Sequence, residues 1–420
     1  MWAEKMKIAV VGMGYVGLPL AVEFSKKNKV VGFDKNSEKI ALLKKGIDPT
    51  ESIEDFSSNR IEFTDDPKGI KAADFVIAAV PTPTKNGKPD LSYVISASEI
   101  IGENLKKGAT VIYESTVYPG CTEELCRKII EEKSGFIYPK DFSLAYSPER
   151  INVGDKKHTL TGIVKIVSAN DPATTKRVAE LYSSIIKAGI YIAPDIKTAE
   201  CAKLIENIQR DVNIALMNEF AVILNRTGIN SKEVLKAAGT KWNFLPFTPG
   251  LVGGHCISED PYYFIEYAEK KGMNPKLMNA AREINNGLPK EVCKIAVEKA
   301  SKILKKEKIR ACVLGLTFKE DVNDYRNSLS KKLIEELENY SDEVFYFDPF
   351  IDAKTTKEQF GSNCLEKVDL DKFNLFIIAV PHRQFLGIDF SRAKKEIVLF
   401  DIKGKMNKEK MPKNVHYFSL

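Results

Sequence analysis

Six residues near the start constrain the fold more than any others. Gly12-Met13-Gly14-Tyr15-Val16-Gly17 follows the apolar run KIAVV and opens a helix-like stretch, LPLAVEFSKKN. A G-x-G-x-x-G between a strand and a helix has a specific steric meaning. The first glycine allows the tight turn, the second lets a phosphate reach the backbone, and the third lets the helix pack on the strand. The helix N-terminus then favours the phosphate charge. Asp34 ends the next apolar run. A carboxylate there hydrogen-bonds ribose hydroxyls and repels a 2′-phosphate, so NAD is expected rather than NADP. A glycine turn for another nucleotide, such as a flavin, is the competing reading.

Further short apolar runs at 29–34, 74–83 and 109–116 alternate with helical stretches, which implies a parallel sheet covered on both faces. From Ile196 to Arg226 there is neither Pro nor Gly, and apolar residues at 205, 208, 212, 215, 216, 220 and 223 keep helical spacing. One long helix is expected, followed by helices over 231–239, 275–287 and 289–306. Strand patterns return at 308–318, 343–350, 375–381 and 396–404. The expected fold class is α/β: two Rossmann-like parallel-sheet domains joined by a long helix and a central all-helical domain. The expected boundaries are 1–197 for the NAD domain, 198–304 for the helical domain and 305–420 for the last domain. FVIAAVP (75–81) and LFIIAVP (375–381) suggest that the two sheets share one plan.

Composition excludes several classes. Charged residues are 29% and hydrophobic residues 44%, as in a globular protein, and the net charge of +6 comes from interspersed Lys, Asp and Glu. No basic stripe for nucleic acid is expected. No apolar run is long enough to span a bilayer. The start lacks a signal-peptide pattern, so a cytoplasmic location is expected. Seven cysteines and four histidines are scattered without zinc spacing, so reduced thiols and no metal are expected.

One of those thiols sits in an unusual place. Cys256 follows Gly253, Gly254 and His255 and lies four residues before Asp260. Alone, it reads as a small buried thiol after a turn before it reads as a nucleophile on a loop that tolerates close backbone approach, and the rest of the chain has to shift that balance. Lys203 and Asn207 are one helical turn apart on the long helix, with Arg210 on the same row, either as a solvated stripe or as a functional face. Glu149 and Arg150 lie in SPERIN, where they form either a surface ion pair or part of a ligand crevice. Lys319 and Arg326 lie in GLTFKEDVNDYRNS, where they clamp phosphates or solvate a loop. Together these residues suit one chemistry. A thiol beside an NAD site adds to an aldehyde, and the thiohemiacetal loses a second hydride to become a thioester that water hydrolyses. Lys203 and Asn207 would stabilise the oxyanion, Lys203 would favour the thiolate, and Asp260 would act as base or orient water. A silent nucleotide-binding protein, a two-electron alcohol dehydrogenase and a cysteine-dependent aldehyde dehydrogenase of another fold are the alternatives. The retained Cys256, Lys203 and Asn207 and the N-terminal glycine motif disfavour them.

The ordered set GMGYVG, PTPT (81–84), ESTVYPG (114–120), SPER, AKLIEN (202–207), GGHC with Asp260, and FKEDVNDYRNS resembles the UDP-glucose/GDP-mannose dehydrogenase family from about Lys7 to Lys405. The resemblance implies a two-fold NAD-dependent oxidation of a sugar C6 alcohol to a uronate and a homodimer formed through the helical domain. It implies Cys256 as nucleophile, with Lys203, Asn207 and Asp260 as polar partners and Thr116 and Glu149 in the water and acid–base set. Gly12, Gly14, Tyr15, Val16, Gly17, Asp34, Lys39 and Thr82 would hold NAD, and Arg326 would line the cofactor side. Arg150, Asn152, Arg210, Phe247, Gly253, His255, Lys319 and Lys403 would meet the sugar nucleotide. His255, KWNFLPF (241–247) and DIKG (401–404) are similar to the branch acting on UDP-N-acetylglucosamine or UDP-N-acetylgalactosamine, and the UDP-N-acetylmannosamine branch shares GGHC. The chain departs from that branch at Thr248, where an arginine is expected, and at Ser258–Glu259, where Gly-Val is expected. A lost cation and an added carboxylate weaken a diphosphate site unless Lys241, Arg150 or Lys403 compensates.

Overall fold

A computed structural model describes residues 6–50, 53, 55–56, 60–150, 159–305, 308–341 and 343–420. They fall into two compact units: Met1–Glu206 with Tyr262–Met273, and Asn207–Pro261 with Asn274–Leu420. The first is built on β1 (Lys7–Val11), β2 (Lys29–Phe33), β3 (Ile61–Thr64), β4 (Phe75–Ala78), β7 (Thr110–Tyr113), β8 (Ser143–Tyr146), β9 (Lys165–Ala169) and β10 (Ile190–Ile192). The small hairpin of β5 (Thr84–Lys85) and β6 (Lys88–Pro89) stands apart from this sheet. The order across the sheet is β10-β9-β8-β7-β4-β1-β2-β3.

The central strands read as continuous apolar runs because both faces are covered. Side chains alternate between them: Ile8, Val10 and Ile77 enter one apolar cluster, and Ala9, Val11, Val76 and Ala78 enter the other. Strand β1 stops at Val11, because Gly12 already has φ +98° and begins the turn. One pairing departs from the parallel expectation. Strands β8 and β9 run antiparallel, with Ala145 opposite Ala169 and Tyr146 opposite Ser168. A parallel crossover needs an intervening element, usually a helix. Among the described residues, only the single turn Leu160–Gly162 lies between these two strands.

The second unit holds β11 (Arg310–Leu314), β12 (Glu343–Phe347), β13 (Leu375–Ile378), β14 (Ile397–Asp401) and β15 (Val415–Ser419). Their order is β12-β11-β13-β14-β15, and every pair is parallel. The long helix spans Ile196–Arg226, the expected range, and enters this unit at Asn207. The two helices expected over 275–287 and 289–306 form one, Lys276–Leu304, which continues through Gly287 and Pro289. Burial outweighs local propensity here: Ala281, Asn285, Leu288, Val292, Ala296, Ala300 and Leu304 form one uninterrupted buried face. A buried polar lock joins it to the Asn207–Arg226 part of the long helix. The Asn285 amide donates to the Asp211 carboxylate at 2.7 Å and to its carbonyl at 3.0 Å, and the Arg282 guanidinium lies 2.8 Å from the same carboxylate.

Candidate active site

In the first unit the glycine turn is held shut from inside. A Cβ on Gly12 would stand 2.6 Å from the Ala79 carbonyl oxygen, and one on Gly17 would stand 1.8 Å from the Gly12 carbonyl oxygen. Neither position tolerates a side chain. Gly14 is different: a Cβ there would meet nothing within 4 Å. Its backbone faces open space at the start of the helix Gly17–Ser25, which suits the approach of a pyrophosphate. Tyr15 and Val16 are half-buried on the same turn. Asp34, at the end of β2, accepts the Met13 N–H at 3.0 Å, the Asn36 N–H at 3.0 Å and the Lys39 ammonium at 2.7 Å. Glycine turn, carboxylate and Lys39 therefore form one constellation that fits a dinucleotide. Thr82 is half-buried on the segment leading from β4 to the hairpin.

The carboxyl edge of the same sheet carries a second group. Thr116 follows β7, beside Ser115, whose hydroxyl donates to the Val80 carbonyl at 2.7 Å and accepts the Val80 N–H at 3.0 Å. Glu149 follows β8 and is buried. Its Oε1 accepts the Arg150 N–H at 2.6 Å and its Oε2 lies 2.6 Å from the Lys165 ammonium. The Arg150 guanidinium donates to the Lys203 carbonyl at 2.9 Å and pairs with Glu206. Lys203 is itself buried on the long helix. Asn152 lies outside the described residues.

The thiol loop belongs to the second unit. Cys256 is exposed, and its carbonyl accepts the Asp260 N–H at 3.0 Å, closing a turn that opens the helix Asp260–Lys270. Asn207 and Asp260 are buried, and the Asn207 amide donates to the Asp260 carboxylate at 2.5 Å. The glycines of this loop answer to packing rather than to an open ligand face. A Cβ on Gly253 would stand 2.7 Å from the Asn327 carbonyl oxygen, and one on Gly254, at φ +84°, would stand 2.7 Å from the Phe318 ring. The added Glu259 is only 4% exposed, and the Asn327 amide donates to it, so its carboxylate is held inside. The Ser258 hydroxyl donates to the Gly254 carbonyl at 2.5 Å. Burial, together with the Arg326 guanidinium, pushes the His255 imidazole below its ordinary range, which keeps it neutral at pH 7.

Other expected residues take varied places. Arg326 is forked onto the Asp324 carboxylate at 2.8 and 2.6 Å, and Lys403 pairs with Glu320 at 2.6 Å. Lys319 and Phe247 are half-buried, while Arg210, Lys241 and Thr248 are exposed. Arg150 and Lys403, two of the three cations expected to offset Thr248, are thus already paired with carboxylates of their own units.

The second unit repeats the turn of the first but fills it. Gly315, at φ +96°, donates its N–H to Phe347 at 3.0 Å, as Gly12 does to Phe33 at 2.8 Å. The counterpart of Asp34 is Asp348, whose side chain has no exposed surface. Its Oδ2 accepts the Leu316 N–H at 2.6 Å and the Thr317 N–H at 3.1 Å and sits 3.0 Å from His382 Nε2. His382 Nδ1 accepts the Asp321 N–H at 2.9 Å, so Nε2 carries the proton and donates to Asp348. A carboxylate engaged in this way is not open to a ribose.

Comparison with known proteins agrees with this division of labour. Residues 6–186 match the NAD binding domain of the UDP-glucose/GDP-mannose dehydrogenase family, 197–287 its central domain and 312–408 its UDP binding domain. The chain belongs to the UDP-glucose/GDP-mannose dehydrogenase family. It is 45% identical to the UDP-N-acetyl-D-glucosamine 6-dehydrogenase of Salmonella typhi, covering 95% of this chain and 96% of that one. It is also 45% identical to the enzyme of that name from Pseudomonas aeruginosa, covering 97% and 99%. Among solved structures, the UDP-D-ManNAc dehydrogenase of Pyrococcus horikoshii matches with a TM-score of 0.87 and 31% identity over 99% of both chains.

This member of the UDP-glucose/GDP-mannose dehydrogenase family is therefore an NAD-dependent dehydrogenase whose cofactor domain is the first sheet. Sequence reasoning passed over three of its site neighbours. Nothing in the sequence around Lys165 or Asn327 marks either residue, since their partners are distant in the chain. His382 stood in PHRQF after the second FVIAAVP-like run, and that internal likeness was the one signal pointing to it.

Proposed function

We propose that the chain oxidises the C6 hydroxyl of a UDP-N-acetylhexosamine to the uronate in two NAD-dependent steps through a thioester on Cys256. The observation that carries this reading is the exposed Cys256 thiol on a turn whose next helix begins with Asp260, locked by Asn207 at 2.5 Å. Two NAD, bound in turn, would each accept one hydride, and Gly12, Gly14, Gly17, Asp34 and Lys39 would hold them. The C6 alcohol first loses a hydride to NAD and its hydroxyl proton to Asp260 acting as base. Cys256 Sγ then adds to the aldehyde carbon, and Lys203 and Asn207 stabilise the resulting oxyanion. Loss of the second hydride leaves the thioester. Water oriented by Asp260, Thr116 and Glu149 gives one proton to Glu149 and adds to the thioester carbonyl, the C–S bond breaks with the electron pair staying on Cys256 Sγ, and the acid loses its remaining proton to solvent as it leaves as the carboxylate. UDP-N-acetylglucosamine or UDP-N-acetylgalactosamine is the favoured substrate, supported by the 45% identity to enzymes named for the former. UDP-N-acetylmannosamine and then UDP-glucose are the alternatives. The product would serve surface polysaccharide or glycan synthesis.

The second part of the proposal is a homodimer through the helical region. Leu216, Phe220 and Ile223 lie at helical spacing on the long helix and are 43%, 47% and 51% exposed, an apolar stripe that suits a second copy of the same helix. No described helix is long and apolar enough to cross a membrane. The substrate reading is tested by kcat/KM for the four UDP-sugars side by side. The highest value for an acetamido sugar is expected, and a higher value for UDP-glucose overturns it.

A further inference from the structure

The reversed strand does something specific to the carboxyl edge of the first sheet. In a parallel sheet the ligand crevice lies beyond the carboxyl ends of the strands. Residues at the amino end of a parallel strand cannot reach it. Because β9 runs antiparallel to β8, its amino end lies at that edge. The register places Ala145 opposite Ala169 and Tyr146 opposite Ser168. Continued to the edge, this register sets Lys165 against Glu149. The side chains meet there: Lys165 Nζ lies 2.6 Å from Glu149 Oε2 and 2.8 Å from Glu114 Oε2. Glu114 directly follows β7, the strand on the other side of β8. Its remaining oxygen accepts the Tyr182 hydroxyl, and the Lys165 ammonium lies 5.3 Å from the centre of the Tyr182 ring.

This is an expensive arrangement in the sense of solvation. Lys165, Glu114 and Glu149 are 4%, 3% and 8% exposed, and one cation faces two carboxylates. Burial disfavours the charge on Lys165, yet Glu114 and Glu149 together hold its ammonium above the ordinary range. Burial pushes the Glu114 carboxyl up, against the pull of Lys165. Buried ion groups of this kind add little net stability compared with apolar packing. Their value here lies in geometry: one ammonium fixes both carboxylates beyond the carboxyl ends of β7 and β8.

We propose that Lys165 and Glu114 are positioning residues for the hydrolytic step, with Lys165 aiming the Glu149 carboxylate and Glu114, tied by Tyr182, holding Lys165 in place. The proposal rests on the assignment of Glu149 to the water of that step. In it, a water O–H bond breaks and Glu149 takes the proton. The water oxygen bonds to the thioester carbon, the C–S bond breaks, and the electron pair leaves with Cys256 sulfur. Hydride transfer needs none of this, so loss of aim slows hydrolysis alone.

The experiment mixes full-length enzyme with NAD and UDP-N-acetylglucosamine, follows NADH through the first turnovers, and measures the mass of acid-quenched protein. Lys165→Met is expected to give a normal burst of NADH, then a steady state slowed about tenfold or more as a sugar acyl group accumulates on Cys256. Glu114→Gln, which keeps the shape and an acceptor for Tyr182, is expected to accumulate the same adduct with a smaller slowing and serves if Lys165→Met does not fold. Lys165→Arg is expected to restore the rate to within about threefold, since a guanidinium also bridges carboxylates. Equal slowing of burst and steady state, or no adduct in either Lys165→Met or Glu114→Gln, overturns the proposal. Glu149→Gln separates the two levels. If it accumulates adduct while the other two do not, the positioning role falls alone. If it accumulates none, the assignment of Glu149 falls and the proposal with it.

Discussion

Glu200 offers a quantitative test of how the first unit is held together. It lies on the long helix with no exposed surface, and its carboxylate accepts the Gly120 N–H at 2.5 Å and the Thr122 N–H at 3.0 Å. These donors lie where ESTVYPG, the segment carrying Thr116, meets the helical stretch Thr122–Cys126. Burial pushes the Glu200 carboxyl up from 4.5 to about 7, although the two N–H donors and Thr122 pull it down. The folded state therefore binds a proton that the unfolded state has already lost between those two values. The stability this group contributes is full below about pH 4.5 and declines as pH rises through 7. A gap of that size corresponds to about 3 kcal/mol. Glu200→Gln cannot ionise and so lacks this pH dependence. The variant is expected to match wild type within about 1 kcal/mol at pH 5, because each then presents a neutral side chain to the same two donors. At pH 8 it is expected to be more stable by about 2 to 3 kcal/mol. Urea unfolding of both proteins from pH 5 to pH 8 gives the difference, and the other titrating groups cancel in it. A difference that stays flat across that range, or that falls as pH rises, refutes the reasoning.

Three further outcomes follow from the geometry. Gly17→Ala drives a methyl group to 1.8 Å from the Gly12 carbonyl and is expected to cost about 3 kcal/mol and abolish NAD binding, read by urea unfolding and by calorimetric titration with NAD. Asp34→Ala removes the proposed ribose acceptor and is expected to weaken NAD ten- to a hundredfold, roughly one charged hydrogen bond, while KM for the sugar nucleotide is unchanged; unchanged NAD affinity would contradict the proposed role of Asp34. Leu216→Glu with Phe220→Glu puts two charges into the apolar stripe and is expected to halve the mass measured by light scattering, whereas an unchanged mass would overturn the proposed dimer contact through this stripe.

The cofactor half was legible because its constraints are local. A turn that admits no Cβ at Gly12 and Gly17 leaves its mark in six consecutive residues, and Asp34 closes the next strand. The long helix was legible to its ends because no breaker interrupts it from Ile196 to Arg226. What escaped were features decided by tertiary burial. Pro289 reads as a boundary, yet it lies inside a buried helical face that continues to Leu304. Glu259 reads as a charge facing a diphosphate, yet it is enclosed with Asn327. Lys165 acquires its partners only once β9 is known to run backwards, and the residues of β9 themselves carry no sign of direction.

The central claim is a four-electron oxidation through Cys256, and the most direct measurement is the NADH formed per UDP-N-acetylglucosamine consumed, by wild type and by Cys256→Ser. The account predicts two NADH per sugar for wild type, and for Cys256→Ser near-normal NAD binding with the second oxidation stalled. Two NADH per sugar from Cys256→Ser at the wild-type rate would contradict it.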